Sequence, residues 1–257
     1  MYKNPLKEKL RNKQPLAGCI IQGALPAMVE ICGLAGMDFV FIDAEHSPFS
    51  ERDCEEMVRA AEIRKTVPIV RPPNCEPSTV LRYMDIGAMG VILPSVNNKE
   101  EAEKGLQAVK YYPRGTRGLA ATRASDYGLR KPMPEYIVEA NQETIVWAMI
   151  EKVEALANLE EILSVEGIDG LILGTSDLSQ SLGVPGKGQD VKVTEAYNRF
   201  VTACLKAGMP MGAVVRPWES VQQHIDAGLT ILLSASLGLF AAAANNFVAQ
   251  FKKSSGN

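Results

Sequence analysis

The chain has 257 residues, 46% hydrophobic and 22% charged, a balance ordinary for a globular protein with a large core. Its formal net charge is −3 and its pI about 5.6, so it lacks the basic face that nucleic acid or an anionic membrane surface requires. No run of ~18 apolar residues could span a bilayer, the first residues form no apolar signal core, and five cysteines without a CxxC pair or zinc spacing read as reduced thiols of a cytoplasmic protein.

Short apolar runs of β character alternate with helical patterns. The runs are Leu16–Ile21, Phe39–Asp43, Val67–Arg71, Gly90–Leu93, Ile145–Glu151, Asp169–Leu173, Pro210–Val215 and Thr230–Ser234. Gly, Pro or Asp flanks them, as expected of strands covered on both faces. Between the second and third, Ser50-x-x-Asp53 has the form of a capping box opening a helix through Glu62. Pro77 suits the first turn of a helix that ends near Gly87. The segment Lys110 to Asn141 breaks the rhythm, and so long a connection is expected to be functional. From Glu154 to Leu163, Ala155, Leu159 and Ile162 form one helical stripe. A helix from Ser220 to Ala227 stops at Gly228, and an alanine-rich helix from Leu239 to Phe251 follows. Eight strands with helices between them predict one α/β domain over residues 1–257, a (β/α)8 TIM barrel.

Four of these strands end on chemistry: Asp43-Ala44-Glu45-His46, Arg71, Glu151 and Asp177. Such a barrel gathers its reactive groups at the C-terminal ends of the strands. Glu151 and Asp177 follow neighbouring strands and suit a hard divalent ion, Mg²⁺ or Mn²⁺, with Co²⁺ also admitted, because the donors are oxygens. Either carboxylate alone reads equally well as a helix cap or an ion-pair partner. Asp43 lies three residues before His46, a spacing at which a carboxylate can orient an imidazole for acid–base work, and Glu45 competes for that role. Arg71 could fork onto a substrate carboxylate and hold an oxyanion, or form a structural ion pair. His224 reads as an exposed helix residue, and Gly183–Gly188, which lacks Walker spacing, as a mobile loop. Lys152 directly follows Glu151 and should face away from it, so no Schiff-base lysine is expected.

With these residues placed, the sequence resembles the HpcH/HpaI family of metal-dependent class II pyruvate aldolases, from about Leu16 to Phe251. The anchors are Phe-Ile-Asp43-Ala-Glu45-His46, Val70-Arg71-Pro72, Asp85-Ile-Gly-Ala, Tyr112-Pro-Arg-Gly-Thr-Arg-Gly118, Ile150-Glu151, Val165-Glu-Gly-Ile-Asp-Gly170 and Gly174-Thr-Ser-Asp177, in family order. The resemblance implies a hexamer built as a trimer of dimers, with the last helix exchanged between subunits. It implies Glu151 and Asp177 as metal ligands, Arg71 on the pyruvate, and Asp43–His46 as an acid–base dyad. Asp85 would serve a site completed by a neighbouring subunit. Gly174, Thr175 and Ser176 would grip the pyruvate carboxylate, and Val214 would lie near the aldehyde. Three departures bear on the substrate: Ala44 replaces a common glycine, Thr175-Ser176 replaces Pro-Ala, and Met149 stands where well-studied members carry a glutamine.

The implied reaction is reversible cleavage of a 4-hydroxy-2-oxo acid, of the 2-keto-3-deoxy sugar acid type, into pyruvate and an aldehyde. Its partners would be the 2-oxo acid and the aldehyde, with no nucleic acid and no membrane. The rivals are an acyl-CoA lyase like the citrate-lyase β subunit, and a non-catalytic barrel that binds keto acids.

Overall fold

A computed structural model describes residues 3–255 apart from Trp218. Eight parallel strands close into a barrel in sequence order: β1 (Leu16–Ile21), β2 (Phe39–Asp43), β3 (Val67–Arg71), β4 (Gly90–Leu93), β5 (Ile145–Ile150), β6 (Gly170–Leu173), β7 (Met211–Val214) and β8 (Ile231–Ala235), with β8 pairing back onto β1. The helices are α1 (Pro5–Arg11), α2 (Pro26–Leu34), α3 (Glu51–Arg64), α4 (Pro77–Asp85), α5 (Lys99–Val109) and α6 (Met133–Glu143) in the first half. The second half adds α7 (Val153–Ala157), α8 (Leu159–Leu163), α9 (Thr175–Ser181), α10 (Val191–Ala207), α11 (Val221–Asp226) and α12 (Ser236–Ser255). The expected TIM barrel is therefore the fold, and the strand bounds expected from sequence agree to within a residue. Among the described residues no helix is long and apolar enough to cross a membrane.

Alternation along each strand divides the apolar residues into two cores. Val40, Ile42, Val70 and Val91 face outward against the helices. Phe39, Phe41, Ile69, Trp147 and Ile172 fill the barrel itself, where the Phe39 and Trp147 rings meet edge to face at 5.1 Å. Each such side chain contributes roughly 1.5–3 kcal/mol on burial. Gly18 on β1 is what admits Phe39, since a Cβ there would lie 2.2 Å from the ring's Cζ. Leu6 and Leu10 of α1 join this inner core and plug the N-terminal end of the barrel.

The capping box forms as expected, with Ser50 and Asp53 each accepting from the other's backbone N–H, and the helix runs on to Arg64. The single stripe expected from Glu154 to Leu163 is instead two short helices, α7 and α8. They break at Asn158, whose φ of −99° and ψ of 16° leave the helix and whose Nδ2 donates to the Asn97 carbonyl at 2.9 Å. The Lys110–Asn141 segment is ordered rather than an open loop. It contains a 3₁₀ turn at Arg123–Gly128, most of α6, and a small core around Tyr111 and Tyr136. The last helix starts at Ser236, earlier than expected, and its Phe240, Phe247 and Phe251 are exposed.

Candidate active site

The register of β2 against β3 pairs Asp43 with Arg71. Partners in parallel strands point to the same face, so the two side chains meet where the strands end. Arg71 donates from Nε to Asp43 Oδ1 at 2.9 Å and from Nη2 to Oδ2 at 2.7 Å, a bidentate fork, and Glu45 Oε2 lies 3.0 Å from Nη1. Burial works against the charge on Arg71. The Asp43 hydrogen bonds and charge outweigh it and hold the guanidinium above its ordinary range. Burial likewise pushes Glu45 up, with the Arg71 charge pulling against it.

The fork changes the role expected of Asp43. Both its oxygens are taken by Arg71, and Oδ1 also accepts the backbone N–H groups of Glu45 and His46 at 3.3 Å. Asp43 thus shapes the loop that carries His46 and does not touch the imidazole. His46 Nε2 lies 3.9 Å from Asp177 Oδ2 instead.

Glu151 follows β5 and is 4% exposed. Its Oε1 accepts from both the backbone N–H and the hydroxyl of Ser95, at 2.8 and 2.9 Å. Ser95 sits in the left-handed region at φ 48° to make both bonds. Among the described residues, Glu151 Oε2 has no hydrogen bond. It borders Gly174, where a Cβ would come within 3.0 Å of it. Asp177 lies in the first turn of α9, whose N-cap Gly174 provides no side-chain cap. This donor set fits a hard divalent ion: two carboxylates from neighbouring loops, one rigidly held with a free oxygen. Two protein oxygens leave room for water and substrate donors, the kind of shell that Mg²⁺ and Mn²⁺ accept.

A cavity of about 530 Å³ at the barrel mouth is lined by Asp43, His46, Arg71, Glu151 and Asp177, together with Gly174, Thr175, Ser176, Met149 and Val214. Asp85 is elsewhere. Helices run back against the strands, so the end of α4 reaches the opposite end of the barrel, where Asp85 accepts from the buried Arg117 at 2.7 Å. Sequence reasoning missed Ser95, Gln22, Arg216 and Glu219, and it misplaced His224. That imidazole is only 21% exposed, faces the cavity, and lies 3.8 Å from Glu219 Oε2. Gly188, at the end of the glycine-rich loop, also lines the cavity. Arg216 was findable, because it lies two residues beyond Val214 and shares its face.

Across residues 16–242 the chain matches the HpcH/HpaI aldolase/citrate lyase family. It is 29% identical over 255 residues to the 5-keto-4-deoxy-D-glucarate aldolase of Escherichia coli O6:H1 strain CFT073, covering 98% of each chain. Its structure is similar to that of an HpcH/HpaI aldolase/citrate lyase family protein from Burkholderia cenocepacia J2315, with a TM-score of 0.92 and 28% identity over 97% of this chain and 100% of the other. It is also similar to the citrate synthase SbnG, with a TM-score of 0.87 and 29% identity over 98% of this chain and 99% of the other. By sequence, fold and family match, the chain belongs to the HpcH/HpaI aldolase/citrate lyase family and is a carbon–carbon lyase.

Proposed function

We propose that the chain is a divalent-metal-dependent class II aldolase that reversibly cleaves a 4-hydroxy-2-oxo acid into pyruvate and an aldehyde. The observation that carries this reading is Glu151, fixed through Oε1 by Ser95 and open at Oε2 beside the Asp177 loop. An Mg²⁺ or Mn²⁺ ion held by Glu151 and Asp177 supplies Lewis-acid stabilisation of negative charge on the oxo-acid oxygens.

Arg71 has five N–H groups; two go to Asp43 and Nη1 faces Glu45 at 3.0 Å, which still leaves donors for the oxyanion that develops as the C3–C4 bond breaks. Its planar fork is already oriented by Asp43, so little reorganisation accompanies the reaction. His46 takes the proton of the C4 hydroxyl as the bond electrons pass to C3 and the aldehyde leaves. Protonation at C3 then yields pyruvate. The Asp43 hydrogen bonds to the backbone of Glu45 and His46 hold this loop in place. Gly174, Thr175 and Ser176 border the pyruvate end, and Met149 and Val214 give the cavity an apolar wall. Assembly with other copies belongs to the same reading and is supported by the exposed Phe240, Phe247 and Phe251 of α12; light scattering tests it.

The test is pyruvate release from 4-hydroxy-2-oxo acids, and deuterium exchange into the pyruvate methyl group, with added Mg²⁺ or Mn²⁺. Absence of both would sink the reading. A second reading, condensation to citrate, is favoured by the likeness to SbnG, and citrate formation from oxaloacetate and acetyl-CoA, assayed in parallel, separates the two.

A further inference from the structure

The geometry points to Arg216 as a specificity-determining residue that receives a second carboxylate, carried on the aldehyde half of the substrate. The inference rests on the aldolase reading for which half is which, but not for the existence of the site. In a ring of eight strands, β7 stands diametrically across the barrel from β3. Arg71 ends β3, and Arg216 follows β7 by two residues. Val214 and Arg216 line the cavity while Val215 between them is packed into the outer core, so Arg216 continues the inward face of β7 up to the rim. The mouth therefore holds two guanidinium groups on opposite walls, with Glu151 and Asp177 beyond the ends of β5 and β6 between them.

The two groups differ in what already engages them. Arg71 is neutralised by Asp43 and Glu45 at 2.7–3.0 Å. Arg216 has one partner, Glu219, reached by a long Nη1–Oε1 contact of 3.4 Å and by its own backbone N–H at 2.9 Å. Among the described residues, Arg216 Nη2 and Nε donate to nothing. The guanidinium lies over Gly188, where a Cβ would be 3.3 Å from Nη2, so the glycine leaves room for the charged group. Glu219 has a second neighbour in His224, whose Nε2 lies 3.8 Å from Oε2. An exposed ion pair of this length is worth little and exchanges readily for a better-placed anion.

A free planar fork matches a carboxylate, which accepts two parallel N–H bonds. A phosphate dianion would call for further cationic donors, and the rim supplies Glu219 instead. A substrate with a neutral end would leave the fork without a partner. The favoured substrate is therefore an oxo acid with a carboxylate at each end, one at the pyruvate end and one against Arg216.

Binding of two unreactive six-carbon probes tests this with metal present. By calorimetry, 2-oxoadipate should bind wild type at least ten-fold more tightly than 2-oxohexanoate. Arg216→Gln should abolish that preference without changing 2-oxohexanoate affinity, and Arg216→Lys should keep part of it. In the synthetic direction with pyruvate, Arg216→Gln should raise KM for tartronate semialdehyde ten-fold or more and leave glyceraldehyde, its neutral counterpart, within two-fold. Pyruvate deuterium exchange, measured without aldehyde, should be unchanged in both variants. Equal affinity of wild type for the two probes, equal loss on both aldehydes, or a preference for glyceraldehyde 3-phosphate over tartronate semialdehyde would each overturn the assignment. Failure of the aldolase reading shows separately, as absent pyruvate exchange in wild type, and the probe affinities still decide whether Arg216 binds a carboxylate.

Discussion

Both ends of the barrel are rich in charge, and they differ in how fully those charges are engaged. At the N-terminal end, Asp169 holds Lys7 at 2.6 Å and accepts the Val146 N–H, while Asp38 holds Lys9 and accepts the Ala17 N–H. Lys110, pushed down to about 7 by burial, donates to the Asn141 and Thr144 carbonyls. A cavity of about 880 Å³ opens there, larger than the one at the mouth, with Lys3, Lys7, Arg11, Lys110 and the exposed Arg114 in its walls. The first four of these bases are already bonded within the chain. At the C-terminal end, Glu151 Oε2 and Arg216 Nη2 have no hydrogen bond among the described residues. Volume favours the N-terminal end. The buried carboxylate oxygen left open at the mouth favours the other, because a group left open in the folded state is one that a ligand can satisfy.

This contrast sets the size of mutational effects. Glu151→Gln keeps the acceptor for Ser95 but removes the negative charge at the open oxygen. It is expected to abolish turnover and metal binding while leaving the thermal midpoint intact, as read by kinetics, calorimetry and circular dichroism. Retained metal affinity would refute the ligand assignment. Ser95→Ala removes one of the two bonds that aim Glu151, and a lost supporting partner of this kind lowers metal affinity or activity by ~10–100-fold. Metal titration checks it, and an unchanged affinity would mean the backbone N–H alone fixes the carboxylate. At the other end the effect moves from activity to stability. Asp169→Ala leaves Lys7 and the Val146 N–H without their acceptor and should cost about 1–3 kcal/mol in urea unfolding, with kcat per folded molecule unchanged.

The smallest effect is a pH slope. Burial raises the Glu45 carboxyl above its ordinary value of 4.5. The folded chain therefore keeps a proton that the unfolded chain has already released. The stability Glu45 contributes is complete below pH 4.5 and is lost as pH rises through the raised value. In Glu45→Gln this dependence disappears, so wild type should lose stability relative to the variant as pH climbs above 4.5. Parallel unfolding curves with a chelator present test the sign, and a gap that narrows in the wild type's favour would contradict it.

The barrel was legible because its strands are apolar on both faces and bounded by turn residues, a pattern few other folds produce. Arg71 and Glu151 were legible from their places at strand ends. The Asp43–Arg71 fork was not, because it depends on the register between two strands, which the pattern within either strand does not encode. Ser95 carried no signal: a serine after Pro94 reads as an ordinary turn, and its left-handed backbone matters only with Glu151 above it. His224 failed for another reason. In a helix of six residues, composition does not decide which side faces the barrel. Within one chain, α4 carries Asp85 to the far end of the barrel, so the role its motif implies would belong to a site shared with a neighbouring subunit.

The inner core and the cavity at the barrel mouth share residues: Ile20, Phe41, Met149, Ile172 and Leu233 belong to both. The floor of that cavity is the top layer of the barrel's own packing. Truncating Ile172 to deepen it would cost ~2–5 kcal/mol in lost packing. Changing half-exposed Arg216 at the rim disturbs no packed layer. Divergence toward new substrates is thus cheap at the edge of the bowl and dear at its base. Met149, with its pliable thioether, is the one floor residue suited to yield first.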